Sequence, residues 1–82
     1  MRVNQRTVAI VLNEDGRNVM RLVAPEIPDS PIEWFYVQDT DETGLWVRIA
    51  REDGDHFVLI RWEFVLSLDV VAGETKIVGL KA

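Results

Sequence analysis

The segment DTDETG has the clearest metal-ligating spacing in the chain. Asp39, Asp41 and Thr43 occupy its first, third and fifth positions and Gly44 its sixth, as in the first half of a calcium-binding loop. The twelfth position of such a loop requires a bidentate glutamate, and Ala50 stands there instead. The sequence therefore predicts a solvated acidic turn between two strands, with no metal and no cofactor.

Catalytic chemistry has few candidate residues. His56 is the only histidine, and the chain has no cysteine, which leaves no thiolate nucleophile, thiolate zinc site or disulfide. A serine triad would need Ser30 or Ser67 to be brought to His56 from distant segments. No glycine-rich phosphate loop is present. We therefore expect a protein that is not an enzyme.

The three tryptophans, Trp34, Trp46 and Trp62, are predicted to lie on or beside strands, and two of them are candidates for an interaction surface. If Leu45 and Val47 face a core, the alternation of a strand turns Trp46 outward. An outward tryptophan often marks an interface. The alternative is that the neighbouring loop 25–31 covers it. The candidate interface residues are Trp46, Trp62, Arg48 and Arg61.

The N-terminal part is predicted to form a β-hairpin. Residues 7–13 (TVAIVLN) are rich in β-branched side chains, and the sequence EDG at 14–16 is typical of a tight turn. Residues 17–24 would return as the second strand, with Met20 and Leu22 on one face.

The middle of the chain is predicted to be a loop followed by two strands. Residues 25–31 contain all three prolines, which remove backbone donors and favour a loop. Aromatic and β-branched residues predict a strand at 32–39, and apolar alternation predicts another at 45–52. The intervening residues 40–44 and the later residues 53–55 are predicted turns.

The run LIRWEFVLSL lies in an apolar stretch that is too long for one ordinary strand. Arg61 and Glu63 interrupt it, so we expect two strands, HFVLI and FVLSLDVV, joined by a bend at 61–63. One strongly bent strand is the alternative. A last turn is expected at 72–74, followed by a terminal strand or tail at 75–82.

Together these elements predict an all-β protein with one domain over residues 1–82. The expected architecture is a small, strongly bent antiparallel barrel of five to seven short strands, of SH3-like or Sm-like size. The apolar content of 48% is high for so short a chain and indicates self-association.

Net charge and hydropathy limit the classes of partner and the cellular compartments that the sequence predicts. Nine basic and fourteen acidic residues give a formal charge of −5, which makes nucleic acid an unfavourable partner. No apolar stretch is long enough to span a membrane or to act as a signal peptide. These features predict a cytoplasmic protein.

The segment IRWEFVLSL resembles the closing motif of Sm-like proteins, I-R-G-x-x-V-x-x-I, with Ile60, Arg61, Val65 and Leu68 at the matching positions. The resemblance implies a small barrel and ring-forming association through strand edges. Trp62 stands where the family has glycine, and the asparagine of its earlier motif is absent from the segment DTDETGLWV. Because those residues build the family's uridine pocket, Sm-type RNA binding is only an alternative.

A second similarity is to PilZ-type barrels, which bind a cyclic dinucleotide through R-x-x-x-R and D/N-x-S-x-x-G. Arg2 and Arg6 match the first motif, and Asp39 and Gly44 match the ends of the second. Asp41 replaces the serine, and a carboxylate there would repel phosphate. Small-ligand binding is therefore an alternative to the leading expectation, a non-enzymatic binding or assembly module. That module would self-associate through strand edges and exposed aromatics, or bind another protein by strand addition.

Overall fold

The computed structural model describes residues 3–70. The elements are β1 (Arg6–Leu12), α1 (Glu14–Val23), β2 (Ile32–Thr40), β3 (Gly44–Arg51), β4 (Gly54–Arg61), a 3₁₀ turn (Trp62–Phe64) and β5 (Val65–Val70). The predicted strand at 75–82 and the turn before it lie outside the described residues.

The five strands form one antiparallel sheet in the order β4-β3-β2-β1-β5. This confirms the all-β class, with the strand number at the lower end of the predicted range. Strands β4 and β5 are the two edges of the sheet in residues 3–70. The sheet described there is not closed into a barrel.

The predicted N-terminal hairpin is wrong, because residues 14–23 form the helix α1. Asn13 caps this helix: its Oδ1 accepts a hydrogen bond of 2.8 Å from the Gly16 amide, which has no partner inside the helix. Glu14 and Asp15 add negative charge to the first turn, where the helix dipole favours it. The EDG segment therefore begins a helix and does not turn a hairpin.

The helical conformation also means that Met20 and Leu22 do not share a face, contrary to the prediction. Gly16 and Met20, four residues apart, are buried, whereas Leu22 is 83% exposed. A β-carbon on Gly16 would lie 2.7 Å from Cβ of Phe64. The glycine therefore lets the helix approach the 3₁₀ turn closely.

Asn13 joins the helix to the far end of the chain, and its loss should be measurable. Its Nδ2 donates to the Glu63 carbonyl at 2.9 Å, and its backbone N–H donates to the Phe64 carbonyl at 2.9 Å. We expect Asn13→Ala to lower the free energy of unfolding by about 1–2 kcal/mol, measured by urea titration. Asn18→Ala, at an exposed helical position, is the control and should be close to neutral. Equal effects of the two substitutions would contradict the capping role.

The predicted strands at 32–39 and 45–52 are confirmed within one residue at each end. The bend at 61–63 is also confirmed, since the 3₁₀ turn separates β4 from β5. The loop 25–31 is confirmed as well. One face of the sheet, together with α1, forms the core cluster: Val8, Ile10, Leu12, Met20, Ala24, Phe35, Val37, Leu45, Val47, Ile49 and Ile60.

Within residues 3–70, no helix combines the length and the apolar character needed to cross a membrane.

Candidate interaction surface

The sheet face that points away from the core, here called the outer face, carries large exposed aromatic side chains. Trp34 on β2 is 52% exposed, Phe57 on β4 is 48% exposed and Trp46 on β3 is 36% exposed. The outward orientation of Trp46 confirms the alternation read from the sequence, because Leu45 and Val47 on either side are fully buried. The side chain of Trp46 is therefore exposed on the outer face.

Side chains in register join these aromatics into a continuous row. Tyr36 lies opposite Arg48, and Arg48 lies opposite Phe57. The guanidinium carbon of Arg48 is 4.2 Å from the centroid of the Tyr36 ring, a cation–π contact. Beside this row, Trp46 lies opposite Leu59. The outer face of β2, β3 and β4 is thus mostly apolar, with Arg48 at its centre.

Arg48 differs from most other arginines in residues 3–70 because it is not part of an ion pair there. The ion pairs found in residues 3–70 use Arg17, Arg21, Arg51 and Arg61, not Arg48. The Tyr36 ring is its contact on the outer face. A cation among exposed aromatics can meet a partner through stacking as well as through charge.

Asp41 holds two of the three tryptophans at one end of the outer face. The indole N–H of Trp46 donates to Asp41 Oδ2 at 3.2 Å, and the indole N–H of Trp62 donates to the Asp41 carbonyl at 2.8 Å. Asp41 Oδ1 accepts the backbone N–H groups of Thr43 at 2.8 Å and Gly44 at 3.1 Å. Trp62 itself is 38% exposed. The acidic turn therefore positions two candidate interface residues.

These contacts also change the acidity of Asp41. The Trp46 indole N–H, followed by the Thr43 and Gly44 amides, lowers the pKa of the Asp41 carboxyl below its ordinary value. The ionised carboxylate is the form that accepts all three hydrogen bonds. The hydrogen bonds that stabilise the turn are therefore strongest when Asp41 is ionised, and they weaken as the pH falls through that lowered pKa.

Gly44 has a packing role. A β-carbon at this position would lie 2.1 Å from the carbonyl oxygen of Ile60 and 2.8 Å from Cα of Arg61. Only glycine lets β3 begin so close to the end of β4. This close approach is a packing reason for a glycine at position 44.

The structure places the N-terminal segment beside the predicted ligand-binding loop through Asn4, not through the predicted arginines. Asn4 Nδ2 donates to Asp39 Oδ1 at 3.1 Å, and the Thr40 hydroxyl donates to Asn4 Oδ1 at 2.9 Å, so the N-terminal segment lies against the start of the 39–44 loop. Arg6 lies on β1 opposite Val37. Arg2 lies outside the described residues.

Arg61 and His56 make local contacts with carboxylates. Arg61 Nε lies 3.2 Å from Glu63 Oε1, with both side chains more than half exposed. His56 Nε2 lies 2.8 Å from Asp53 Oδ1, and this interaction lowers the pKa of Asp53. His56 Nδ1 accepts from a guanidinium N–H of Arg51 at 3.1 Å, since a guanidinium can only donate.

Arg51 extends this contact to the loop 25–31. Its Nε donates to Glu26 Oε2 at 2.6 Å, and another of its N–H groups donates to the Val23 carbonyl at 2.8 Å. The Arg51 hydrogen bond is the main cause of the lowered pKa of Glu26. The series of side-chain contacts from Glu26 through Arg51 and His56 to Asp53 therefore connects the proline-rich loop to the turn between β3 and β4.

One small cleft lies next to the helix in the part of the chain that the structure describes. The cleft between α1 and the loop 25–31, lined in part by Arg17, Met20 and Phe35, has a volume of about 10 Å³. That is room for about one water molecule. Among the same residues no three histidine or carboxylate side chains cluster as metal ligands would.

Sequence reasoning missed Tyr36, Phe57 and Leu59 as parts of the outer face. The run HFVLI is apolar on both faces, so alternation did not separate its outward residues from its inward ones. Tyr36 could be assigned to the outer face only once its register with Arg48 was known.

Comparisons of this chain with protein-family models, with curated proteins and with solved structures found no match.

Proposed function

We propose that this protein is a non-enzymatic binding and assembly module that associates with copies of itself through exposed aromatic side chains and sheet edges. The observation that carries this proposal is the contiguous apolar outer face, which runs up to the edge strand β4. Exposed apolar patches of this kind mark interaction sites in soluble proteins.

The size of the exposed side chains supports the proposal. Trp34 and Phe57 each leave about half of their surface in water, on the order of 100 Å² per side chain. At about 25 cal/mol per Å², burying either one contributes roughly 2.5 kcal/mol to association. A few such side chains are enough to act as the anchors of an interface.

We infer that the architecture is that of a small Sm-like or SH3-like barrel. Two features support this inference: the strand order β4-β3-β2-β1-β5, and the 3₁₀ turn between the last two strands. Sm-type RNA binding is not part of the proposal. The net charge of −5 opposes binding to phosphates, and Trp62 occupies the position of the glycine in the family's motif.

Small-ligand binding at the 39–44 loop is also not part of the proposal. The contacts of Asn4 bring the N-terminal segment to this loop, but Asp39, Asp41 and Glu42 are all exposed there. Three carboxylates in one turn oppose the binding of a phosphate-bearing ligand.

The proposal is tested by truncating exposed aromatic side chains. We expect Phe57→Ala to raise the dissociation constant of the assembly at least tenfold, about 1.4 kcal/mol, because Phe57 reaches both the outer face and the edge. Trp46→Ala should raise it several-fold without unfolding the chain. Sedimentation equilibrium would measure the association, and circular dichroism would report on folding.

The matched control is Leu22→Ala, which truncates a side chain that is 83% exposed on α1, away from the outer face. We expect it to leave the dissociation constant unchanged. An equal effect of all three substitutions, or no effect of Phe57→Ala, would contradict the proposed surface.

A further inference from the structure

Within residues 3–70, strand β4 is an edge of the sheet that lacks several of the features that usually prevent pairing. It spans eight residues, contains no proline or lysine, and pairs with β3 at eight consecutive positions without a bulge. Strand β5, the other edge in residues 3–70, is shorter, and its pairing with β1 is interrupted between Val11 and Leu12. A regular edge of this kind is a template for a further strand.

The register shows which backbone groups of β4 point away from β3. Arg51 and Gly54 close a two-residue turn, so they must exchange hydrogen bonds with each other, and bonded and non-bonded pairs then alternate along the ladder. The hydrogen bond from the Trp62 amide to the Thr43 carbonyl, 3.1 Å, agrees with this alternation. The residues whose N–H and C=O point away from β3 are Asp55, Phe57, Leu59 and Arg61.

These four residues are self-complementary. If a second copy is placed antiparallel with the twofold axis at Val58, Asp55 lies opposite Arg61 of the second copy, and Phe57 lies opposite its Leu59. By symmetry each pairing occurs twice. All four residues then meet partners whose outward backbone groups face them, so each of these four residues forms a hydrogen-bonded pair.

We propose that two copies of this chain pair antiparallel through β4, with Asp55 opposite Arg61 and Phe57 opposite Leu59, to make one continuous ten-stranded sheet. This inference rests on the proposed function, because it specifies the edge, the partner and the register of the self-association. The occupant of the β4 edge is a second copy of the chain.

Charge selects this register over its neighbours. Sliding one copy by two residues places Phe57 opposite Phe57 or Leu59 opposite Leu59, and Asp55 then loses its arginine. The present partner of Arg61 is Glu63, at 3.2 Å and in solvent, so Arg61 can exchange that contact at little cost. The opposite charges set the register, whereas the backbone bonds and the Phe57–Leu59 pairs supply most of the affinity.

The pairing also continues the outer face across the two copies. The row Tyr36, Arg48 and Phe57 of one copy would be followed by Leu59 and then Trp46 of the other. The exposed side of Phe57 is covered in this arrangement. A sheet edge and an aromatic surface that are separate in one chain therefore become one interface.

Charge reversal tests the register. Asp55→Arg and Arg61→Asp each place like charges opposite each other twice, and we expect each to raise the dissociation constant at least tenfold. The double variant Asp55→Arg/Arg61→Asp restores opposite charges, and its dissociation constant should return to within about threefold of the original protein. Asp69→Arg on β5 makes the same charge change on the other edge and should have no effect.

Disulfide crosslinking is an independent test of the register, and it detects even weak association because it traps the dimer covalently. The chain has no cysteine, and Val58 would face its own copy as a non-hydrogen-bonded pair, with Cα atoms about 4.5 Å apart. This distance is within the range of a disulfide. We expect Val58→Cys to form a covalent dimer at least tenfold faster than Ser67→Cys on β5.

The outcomes separate this inference from the proposed function. An assembly that is weakened by Asp69→Arg but not by Asp55→Arg, or crosslinked by Ser67→Cys and not by Val58→Cys, would overturn the β4 pairing and leave self-association standing. A double charge reversal that fails to restore affinity would overturn the register. A protein that is monomeric at every concentration would overturn both proposals.

Discussion

Replacing Gly44 by alanine is expected to lower the free energy of unfolding by about 3 kcal/mol or more. The new methyl group would lie 2.1 Å from the Ile60 carbonyl oxygen and 2.8 Å from Cα of Arg61. Both are backbone atoms, so no side-chain rotation can relieve the contact. The start of β3 and the end of β4 would have to separate.

Urea titration at a fixed protein concentration measures this effect, since the proposed dimerisation would make the apparent stability depend on concentration. Gly54→Ala is the informative comparison, because within residues 3–70 no atom beyond its chain neighbours lies within 4 Å of the added carbon, and the φ of +126° is what opposes the substitution. It should cost about 1–3 kcal/mol and less than Gly44→Ala. A Gly44→Ala protein as stable as the original would contradict the close approach of β3 to β4.

Replacing Ile10 by alanine is expected to cost about 2–5 kcal/mol of unfolding free energy. Ile10 is fully buried on β1, which pairs with both β2 and β5. Truncation there leaves a cavity between the sheet and α1, and the paired strands on both sides prevent collapse into it. We expect this to be among the most damaging truncations in the core.

Thermal and urea unfolding of Ile10→Ala and Leu22→Ala give the comparison directly. Leu22 is 83% exposed, so its truncation should change the free energy of unfolding by no more than about 0.5 kcal/mol. Similar costs for the two substitutions would contradict the assignment of Ile10 to the core.

Strands with clear alternation or a strong break were predictable from the sequence. Leu45, Val47 and Ile49 alternate with polar or exposed positions, and this pattern places β3 and the outward Trp46 correctly. Arg61 and Glu63 interrupt an apolar run, and the 3₁₀ turn lies at that interruption. Both signals are local, so the surrounding fold does not override them.

The helix α1 was missed because its local signals, the cap at Asn13 and the acidic first turn, compete with a typical hairpin-turn signal, and contacts with distant residues reinforce them. The segment EDG is typical of a hairpin turn, and a seven-residue run rich in β-branched side chains precedes it. Its helical conformation depends on the cap at Asn13, which also binds the carbonyl of Glu63, fifty positions away. Gly16 is required by packing against Phe64, not by a turn.

The candidate surface was predictable only in part for a similar reason. The exposure of Trp46 follows from alternation, but its link to Trp62 passes through Asp41, and these residues belong to three separate segments. The role of β4 as an edge depends on the order of strands in the sheet. Neither feature has a signature in a single stretch of sequence.

The mass of the 82-residue chain in solution, measured by light scattering at two concentrations, tests the central claim most directly. Self-association through β4 predicts a mass about twice the 9.4 kDa of one chain at the higher concentration, decreasing on dilution. A mass of 9.4 kDa at both concentrations would contradict the claim that this protein assembles with copies of itself.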